Sequence, residues 1–186
     1  MEKIQTIFDR NWEGNKSVID KKLVNVSDCI ATEKLNGTNV RLTVRNNQLV
    51  RLEKRRNPTK LEKQKGMIEP WYKDADEYSP EDKYIFEAAR NTDLSNIPDG
   101  EWSGEAVGKK IQGNELNLEE HTVFLFSFED VLMKVKFDDI PTDYEELKKW
   151  LPEQKSKFGN NCGIEGIVWW KEGKPFGKIK KKDFKT

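Results

Sequence analysis

Ala31-Thr32-Glu33-Lys34-Leu35-Asn36-Gly37-Thr38-Asn39-Val40-Arg41-Leu42-Thr43-Val44 carries two signals in one run. From Val40 on, Val40, Leu42 and Val44 alternate with Arg41, Thr43 and Arg45, the period of a half-buried strand. Asn36-Gly37 predicts a tight turn, because both residues tolerate positive φ. Lys34 then stands at the lip of a strand, just before the turn. A lysine fixed on rigid backbone among apolar neighbours gives up its proton more readily and becomes a nucleophile. Taken alone, it is one of 33 Lys and Arg and reads as a solvated surface group.

Working outward, Asn46-Asn47 turns the chain into Leu49-Val50-Arg51-Leu52, a hairpin. The return strand delivers Lys54-Arg55-Arg56 to a sheet edge, where Pro58 ends the pairing. On the other side, residues 1–28 are scaffold: Ile4, Ile7, Phe8 and Trp12 form a small apolar patch, and Leu23, Val24 and Val26 predict a short strand. Ser79-Pro80-Glu81-Asp82 has the signature of a helix start and predicts a helix to about Arg90. Glu101 to Val107 reads as a strand with Glu105, Ser103 and Glu101 on one face. Gly108 to Asn114 is a basic, glycine-bounded loop unlike a Walker phosphate loop, either a flexible connector or a contact to a polyanion. Thr122 to Phe128 is apolar on both faces, which predicts a central, doubly covered strand. Thr142-Asp143-Tyr144-Glu145 predicts a capped helix that Pro152 ends. Ile164–Trp170 and Pro175–Lys180 predict a hairpin about Lys171-Glu172-Gly173-Lys174, with Glu165 opposite Lys180 and Ile167 opposite Lys178. On its own, that cluster is an ordinary cross-strand ion pair.

The chain has 186 residues, of which 35% are charged and 35% hydrophobic, enough for one domain with a real core and a highly charged surface. Acids and bases balance at 33 each, so the charge signal lies in its distribution. Residues 51–65 and 171–186 each hold seven bases against two acids, and the compensating acids cluster at 69–87 and 129–146. Such polarity suits a protein that handles phosphates. Cys29 and Cys162 match no zinc spacing and are expected to be reduced and half-buried. His121, the single histidine, is expected to be structural, which excludes histidine-based triads and metal clusters. No apolar run approaches a membrane span and no signal-peptide core opens the chain, so the expectation is a soluble, cytoplasmic protein.

Taken in order, the chain offers Lys34-Leu35-Asn36-Gly37, Arg55-Arg56, Ser103-Gly104-Glu105, Phe126-Ser127-Phe128-Glu129, Glu165-Gly166-Ile167-Val168 and Lys178-Ile179-Lys180. This series resembles the covalent nucleotidyltransferase superfamily of ligases and capping enzymes. Within it the chain is similar to the RNA ligase 2 type, because Glu33 precedes Lys34 and Gly37-Thr38-Asn39 follow. The resemblance spans roughly residues 30–182. It implies an α+β nucleotidyltransferase (adenylyltransferase) domain of antiparallel sheets flanking a nucleotide cleft, with helices outside. That domain is expected as a single unit over 1–186, with no appended oligonucleotide-binding barrel or C-terminal domain.

The implied activity is that of an ATP-dependent RNA ligase. Lys34 would take up AMP as a lysyl-AMP phosphoramidate, pass it to a 5′-phosphate RNA end, and that end would be sealed to a 3′-hydroxyl. The resemblance implies catalysis by Lys34, Lys178, Lys180 and Glu165, with Glu165 holding Mg²⁺ or Mn²⁺ and the cations lowering the pKa of Lys34. It implies nucleotide contacts from Glu33, Leu35, Asn36, Asn39, Arg55, Glu105, Lys178, Lys180 and Phe128, the last stacking on adenine, with Phe126 second. Arg56, Lys109 and Lys110 are the expected RNA contacts. Two other readings stand beside it: a GTP-specific capping nucleotidyltransferase, and a module that binds nucleotides and RNA ends without turnover. Asn36, where relatives carry an acid or histidine, and the lack of an appendage favour the latter. The expected partner is RNA with 5′-phosphate and 3′-hydroxyl ends, bound by a monomer either through its two basic segments alone or with a protein partner that helps grip the RNA.

Overall fold

The computed structural model describes residues 3–185. The fold is α+β, with few helices and antiparallel sheets. Strands in chain order are β1 (Phe8–Arg10), β2 (Val18–Lys22), β3 (Ile30–Lys34), β4 (Thr38–Arg45), β5 (Gln48–Arg56), β6 (Trp71–Asp74), β7 (Gly100–Val107), β8 (Thr122–Phe124), β9 (Lys136–Phe137), β10 (Gly166–Lys171) and β11 (Lys174–Lys180). The helices are α1 (Lys60–Gln64), α2 (Lys83–Arg90), α3 (Glu129–Leu132) and α4 (Tyr144–Trp150). No helix of the described residues is long and apolar enough to cross a membrane. The chain forms two compact units, one built on Asn36–Val131, the other on Ile4–Leu35 with the chain from Leu132 onward.

In the first unit a five-stranded sheet runs in the order β6-β5-β4-β7-β8. The alternation read from Val40 sets its inner face: Val40, Leu42 and Val44 are fully buried against Ile85, Ala88 and Ala89 of α2. Burial of each such side chain contributes about 1.5–3 kcal/mol. The β4–β5 hairpin turns at Asn46 and Asn47, both at positive φ. Asn36 and Gly37 do not form the expected positive-φ turn, because β3 and β4 belong to different sheets and the chain between them only bends. Gly37 is required for close approach instead: a Cβ there would overlap the Ala106 carbonyl and lie 2.7 Å from Val107.

Three further expectations for this unit change. β5 is not an edge strand, since β6 pairs with it through Arg55–Tyr72 and Arg56–Trp71. The strand expected over Thr122–Phe128 stops at Phe124 and lies at the sheet edge. Its continuation is replaced by Ser127, whose hydroxyl accepts from the Ser103 N–H at 2.8 Å and donates to the Ser103 carbonyl at 3.0 Å. α2 begins at Lys83 rather than at Pro80. Asp82 is buried, taking the Lys54 ammonium at 2.6 Å and the Asp76 N–H at 2.8 Å, while Ser79 closes a separate turn before the helix.

The second unit holds the two-stranded β1-β2 sheet and a four-stranded sheet ordered β11-β10-β3-β9. Ala31, Ile167, Trp169, Ile179 and Phe137 line one face and share a core with Ile7, Phe8, Leu147 and Leu151. Trp12, expected in the apolar patch, is 66% exposed. β2 ends at Lys22, so Val24 and Val26 reach the core from irregular chain, not from the expected strand. α4 is capped by Asp143, which accepts from the Glu146 N–H, one residue later than the expected box; Pro152 opens a 3₁₀ turn over Leu151–Glu153. The β10–β11 register also differs from expectation. Phe176 is bulged out between Pro175 and Gly177, so Gly166 pairs with Lys180 and Val168 with Lys178, and Glu165 lies in the bend before β10.

Candidate functional site

Lys34 is the last residue of β3, where Gly166 pairs with it, and Gly166 pairs on its other side with Lys180. These three residues form one row across three strands. The next row on the same face is Lys178, Val168, Thr32 and Lys136. Side chains two apart along a strand share a face, so four lysines project from one side of the sheet. Lys136 was missed in the sequence, although Val135-Lys136-Phe137 alternates as a short strand does. Gly166 leaves its place in the row open, and it must be glycine: a Cβ would overlap the Ile179 carbonyl and lie 2.8 Å from the Lys180 Cα.

Glu165 enters from the bend preceding this row, and its Oε2 lies 3.4 Å from the Lys34 Nζ. Both side chains are partly buried, at 23% exposure for Lys34 and 15% for Glu165. Lys180 is half-buried, and burial pushes its ammonium pKa down; Asp183 opposes the shift while Lys182 and Lys34 add to it. Its backbone is pinned, because the Lys180 N–H donates to Asp183 at 2.8 Å and Arg10 holds the other Asp183 oxygen at 2.9 Å. On the far edge of β11, Lys178 is fixed by backbone bonds of 3.0 Å to Gln5 and Ile7.

Glu33 lies on the opposite face of β3 from Lys34. It is 3% exposed, and its two oxygens accept from Ser156 Oγ at 2.5 Å and the Lys157 N–H at 2.7 Å. Burial raises its carboxyl pKa above the ordinary 4.5, against the pull of those two donors. The folded chain therefore holds this proton more tightly than the unfolded chain, and the stability this provides declines as pH rises from about 4.5 through the raised value. In urea unfolding, Glu33→Gln is expected to gain on the wild type steadily over that window. A difference that does not vary with pH would refute the sign. Leu35 is buried, at 5% exposure.

The first unit carries a second constellation on the outer face of its sheet. Asn39 pairs with Glu105, and Arg41 with both Ser103 and Glu53. Arg55, two residues beyond Glu53, shares that face and pairs with Tyr72. The Tyr72 hydroxyl donates to Asn39 Oδ1 at 2.6 Å and lies 3.1 Å from Ser103 Oγ, and the Arg41 guanidinium sits 4.4 Å over its ring. Burial raises the Tyr72 pKa, with the Ser103 bond, Arg55 and Arg41 opposing. Tyr72 and Ser103 were not singled out as site residues in the sequence, since nothing local marks a tyrosine that becomes a strand partner.

Charge pairing separates the arginines of this sheet. Arg41 binds the buried Glu53 through two nitrogens at 2.9 and 2.8 Å, Arg51 binds Asp74 at 2.7 Å, and Arg56 binds Glu62 at 2.8 Å. Arg55 has no carboxylate partner among the described residues, which distinguishes it from Arg56. Phe128 follows the turn after β8 and packs edge-on against Trp102 at 5.5 Å, and Phe126 is half-buried in that turn. Asn36 is half-buried, and Lys109 and Lys110 are exposed after β7. His121 is structural: it is 7% exposed, stacks on Tyr84 at 5.1 Å, and accepts from the Lys110 N–H at 3.0 Å.

No family model matches the chain, and no curated protein matches it. Among solved structures it is similar to an RNA ligase from Naegleria gruberi, a lysine-to-alanine mutant in its apo form, with a TM-score of 0.48 and 15% identity. The match covers 99% of this chain and 62% of that one, so this chain spans less than two thirds of that protein's length.

Proposed function

We propose that the chain is an ATP-dependent RNA ligase that works through a lysyl-AMP intermediate. The observation that carries this reading is the Lys34–Glu165 pair at 3.4 Å beside a half-buried Lys180 in the same row. A surface ion pair has no need of a third, poorly solvated ammonium, whose burial costs stability. A site that handles the phosphates of a nucleotide does need one.

The reaction is phosphoryl transfer to nitrogen. The free amine of Lys34 bonds to the α-phosphorus of ATP as the bond to the bridging oxygen breaks, and pyrophosphate leaves with the electron pair. The Lys34 ammonium, paired with Glu165 at 3.4 Å in the resting protein, must first give its proton to solvent. Lys178 and Lys180 supply positive charge where negative charge grows on phosphate oxygens. Among the described residues no group of three or more His, Cys, Asp or Glu is placed to hold a metal ion. A lone carboxylate fits Mg²⁺, which keeps most of its water and shares substrate phosphates. Glu165 would hold that ion, which supplies further charge neutralisation on the phosphates. By resemblance, Glu105 would bind the ribose hydroxyls, Asn39 would contact the nucleotide, and Arg55 would contact the sugar or the RNA end. AMP would next pass to a 5′-phosphate of RNA, and attack by a 3′-hydroxyl would seal the strand and release AMP.

The test is incubation with α-labelled ATP or GTP and a divalent metal. Label from ATP is expected, and label from GTP alone would favour the capping reading. Lys180→Met gives a second expected outcome. A base whose folded pKa is depressed releases its proton more readily folded than unfolded, so stability rises with pH from that lowered value toward 10.5. Removing the charge is expected to leave the melting temperature unchanged or raised at pH 7, while labelling falls at least ~100-fold. A lowered melting temperature with labelling intact would contradict the assignment.

A further inference from the structure

We infer that Tyr72 is a positioning residue of the first unit's site, its hydroxyl setting which end of the Asn39 side-chain amide is offered to a bound nucleotide; this rests on the RNA ligase reading. Tyr72 belongs to β6, the edge strand of its sheet, which pairs with β5 alone. Its hydroxyl nevertheless makes its bonds beyond β5, donating to Asn39 Oδ1 on β4 at 2.6 Å and lying 3.1 Å from Ser103 Oγ on β7. Paired strands lie about 4.8 Å apart, so a side chain must be as long as tyrosine's to cross β5 and reach Asn39. A phenol has one proton. With that proton on Asn39, the Tyr72 oxygen accepts from the Ser103 hydroxyl, and the chain of donors runs from Ser103 through Tyr72 to Asn39.

The two ends of an asparagine amide have nearly the same shape and opposite hydrogen-bonding character, so a neighbour must choose between them. Tyr72 makes that choice: Oδ1 is turned to the phenol, and the donor Nδ2 is what Asn39 offers a ligand. Donors suit the oxygens of a ribose or a phosphate, whereas a carbonyl in the same place would repel them. Asn39 also pairs with Glu105, so the oriented amide stands beside the carboxylate that the resemblance assigns to the ribose. The phenol is itself held. The Arg41 guanidinium lies 4.4 Å over its ring and is tied by two bonds to the buried Glu53, while Ser127 pins both backbone groups of Ser103. Burial raises the phenol's pKa from its ordinary 10, which keeps it a donor at neutral pH. Anchoring β6 does not call for this network, because the strand already pairs with β5 over four residues and Arg56 covers the Trp71 ring at 5.1 Å.

The experiment is a double-mutant cycle on Tyr72→Phe and Asn39→Ala, read in two reactions: transfer of label from α-labelled ATP to protein, and sealing of RNA that already carries a 5′-adenylate. Tyr72→Phe keeps the ring under Arg41 and removes only the hydroxyl. It is expected to slow, by about tenfold, the same reaction that Asn39→Ala slows. Adding Tyr72→Phe to Asn39→Ala is expected to cost less than about twofold more, because the amide it would orient is gone. Trp71→Phe is the control for anchoring of β6: it should shift the melting temperature and leave both rates within about twofold of the wild type. Folded Tyr72→Phe protein that keeps both rates would overturn the inference, as would an Asn39→Ala variant slowed in neither reaction, or losses that multiply in the double variant. A Trp71→Phe loss as large as that of Tyr72→Phe would overturn it too, by marking general damage to β6. Any of these results with a wild type that labels strikes this inference alone, whereas a wild type that neither labels nor seals overturns the ligase reading on which it rests.

Discussion

Lys34→Ala is expected to reduce transfer of label from α-labelled ATP to protein by at least ~10³-fold, since the proposed reaction makes the Lys34 amine the group that takes up AMP. The fold should survive, because Lys34 lies at the end of β3 and its ion-pair partner is Glu165 at 3.4 Å. The melting temperature should therefore move by no more than about 5 °C. Chemical bypass separates loss of the nucleophile from general damage. RNA that already carries a 5′-adenylate needs no lysyl-AMP, so Lys34→Ala should still seal it to a 3′-hydroxyl. Equal loss of labelling and of sealing on pre-adenylylated RNA would point to a disrupted site.

The second large effect is expected at a residue with no side chain. Gly166→Ala places a methyl group against the Ile179 carbonyl and 2.8 Å from the Lys180 Cα, both backbone of β11. Backbone cannot swing aside as a side chain does, so β11 must shift or its ladder must open, at a cost of about 1–3 kcal/mol. The shift carries Lys180 away from the row that Lys34 occupies. A displacement of about 1 Å at a catalytic group costs roughly 10²-fold in rate, so labelling should fall by about that factor in protein that remains folded. Gly173→Ala is the control: it lies in the β10–β11 turn with φ +78° and nothing within 4 Å of the added carbon. It should lose some stability to backbone strain and keep its labelling.

Much of this was legible because the signals were local. The alternation from Val40 to Val44 and the Asn46-Asn47 turn define β4 and β5 without reference to distant chain, and the structure keeps both. Lys34 at a strand end was legible for the same reason. The register of β10 on β11 was not, because it depends on a bulge at Phe176 that no local pattern marks. Thr122–Phe128 shows the limit of composition: an apolar run looks central, but a serine hydroxyl substitutes for the ladder and ends the strand at Phe124. Asp82 reads as a helix-start acid, yet the cation that buries it, Lys54, comes from 28 residues away. The basic run at 51–65 overstated its free charge for a related reason, since Arg51 and Arg56 meet acids of β6 and α1. Only the fold shows that Arg55 does not.

The central claim concerns the amine of residue 34, and peptide mapping after reaction with α-labelled ATP tests it directly. Wild-type protein is incubated with α-labelled ATP and Mg²⁺, digested at neutral pH, and searched by mass for an adenylate adduct while pyrophosphate release is measured. The account predicts one adduct per chain, on the peptide containing Lys34, bonded through nitrogen and so labile to acid, with one pyrophosphate released per adduct. An unmodified Lys34 peptide under these conditions, or an adduct on any other residue, would contradict it.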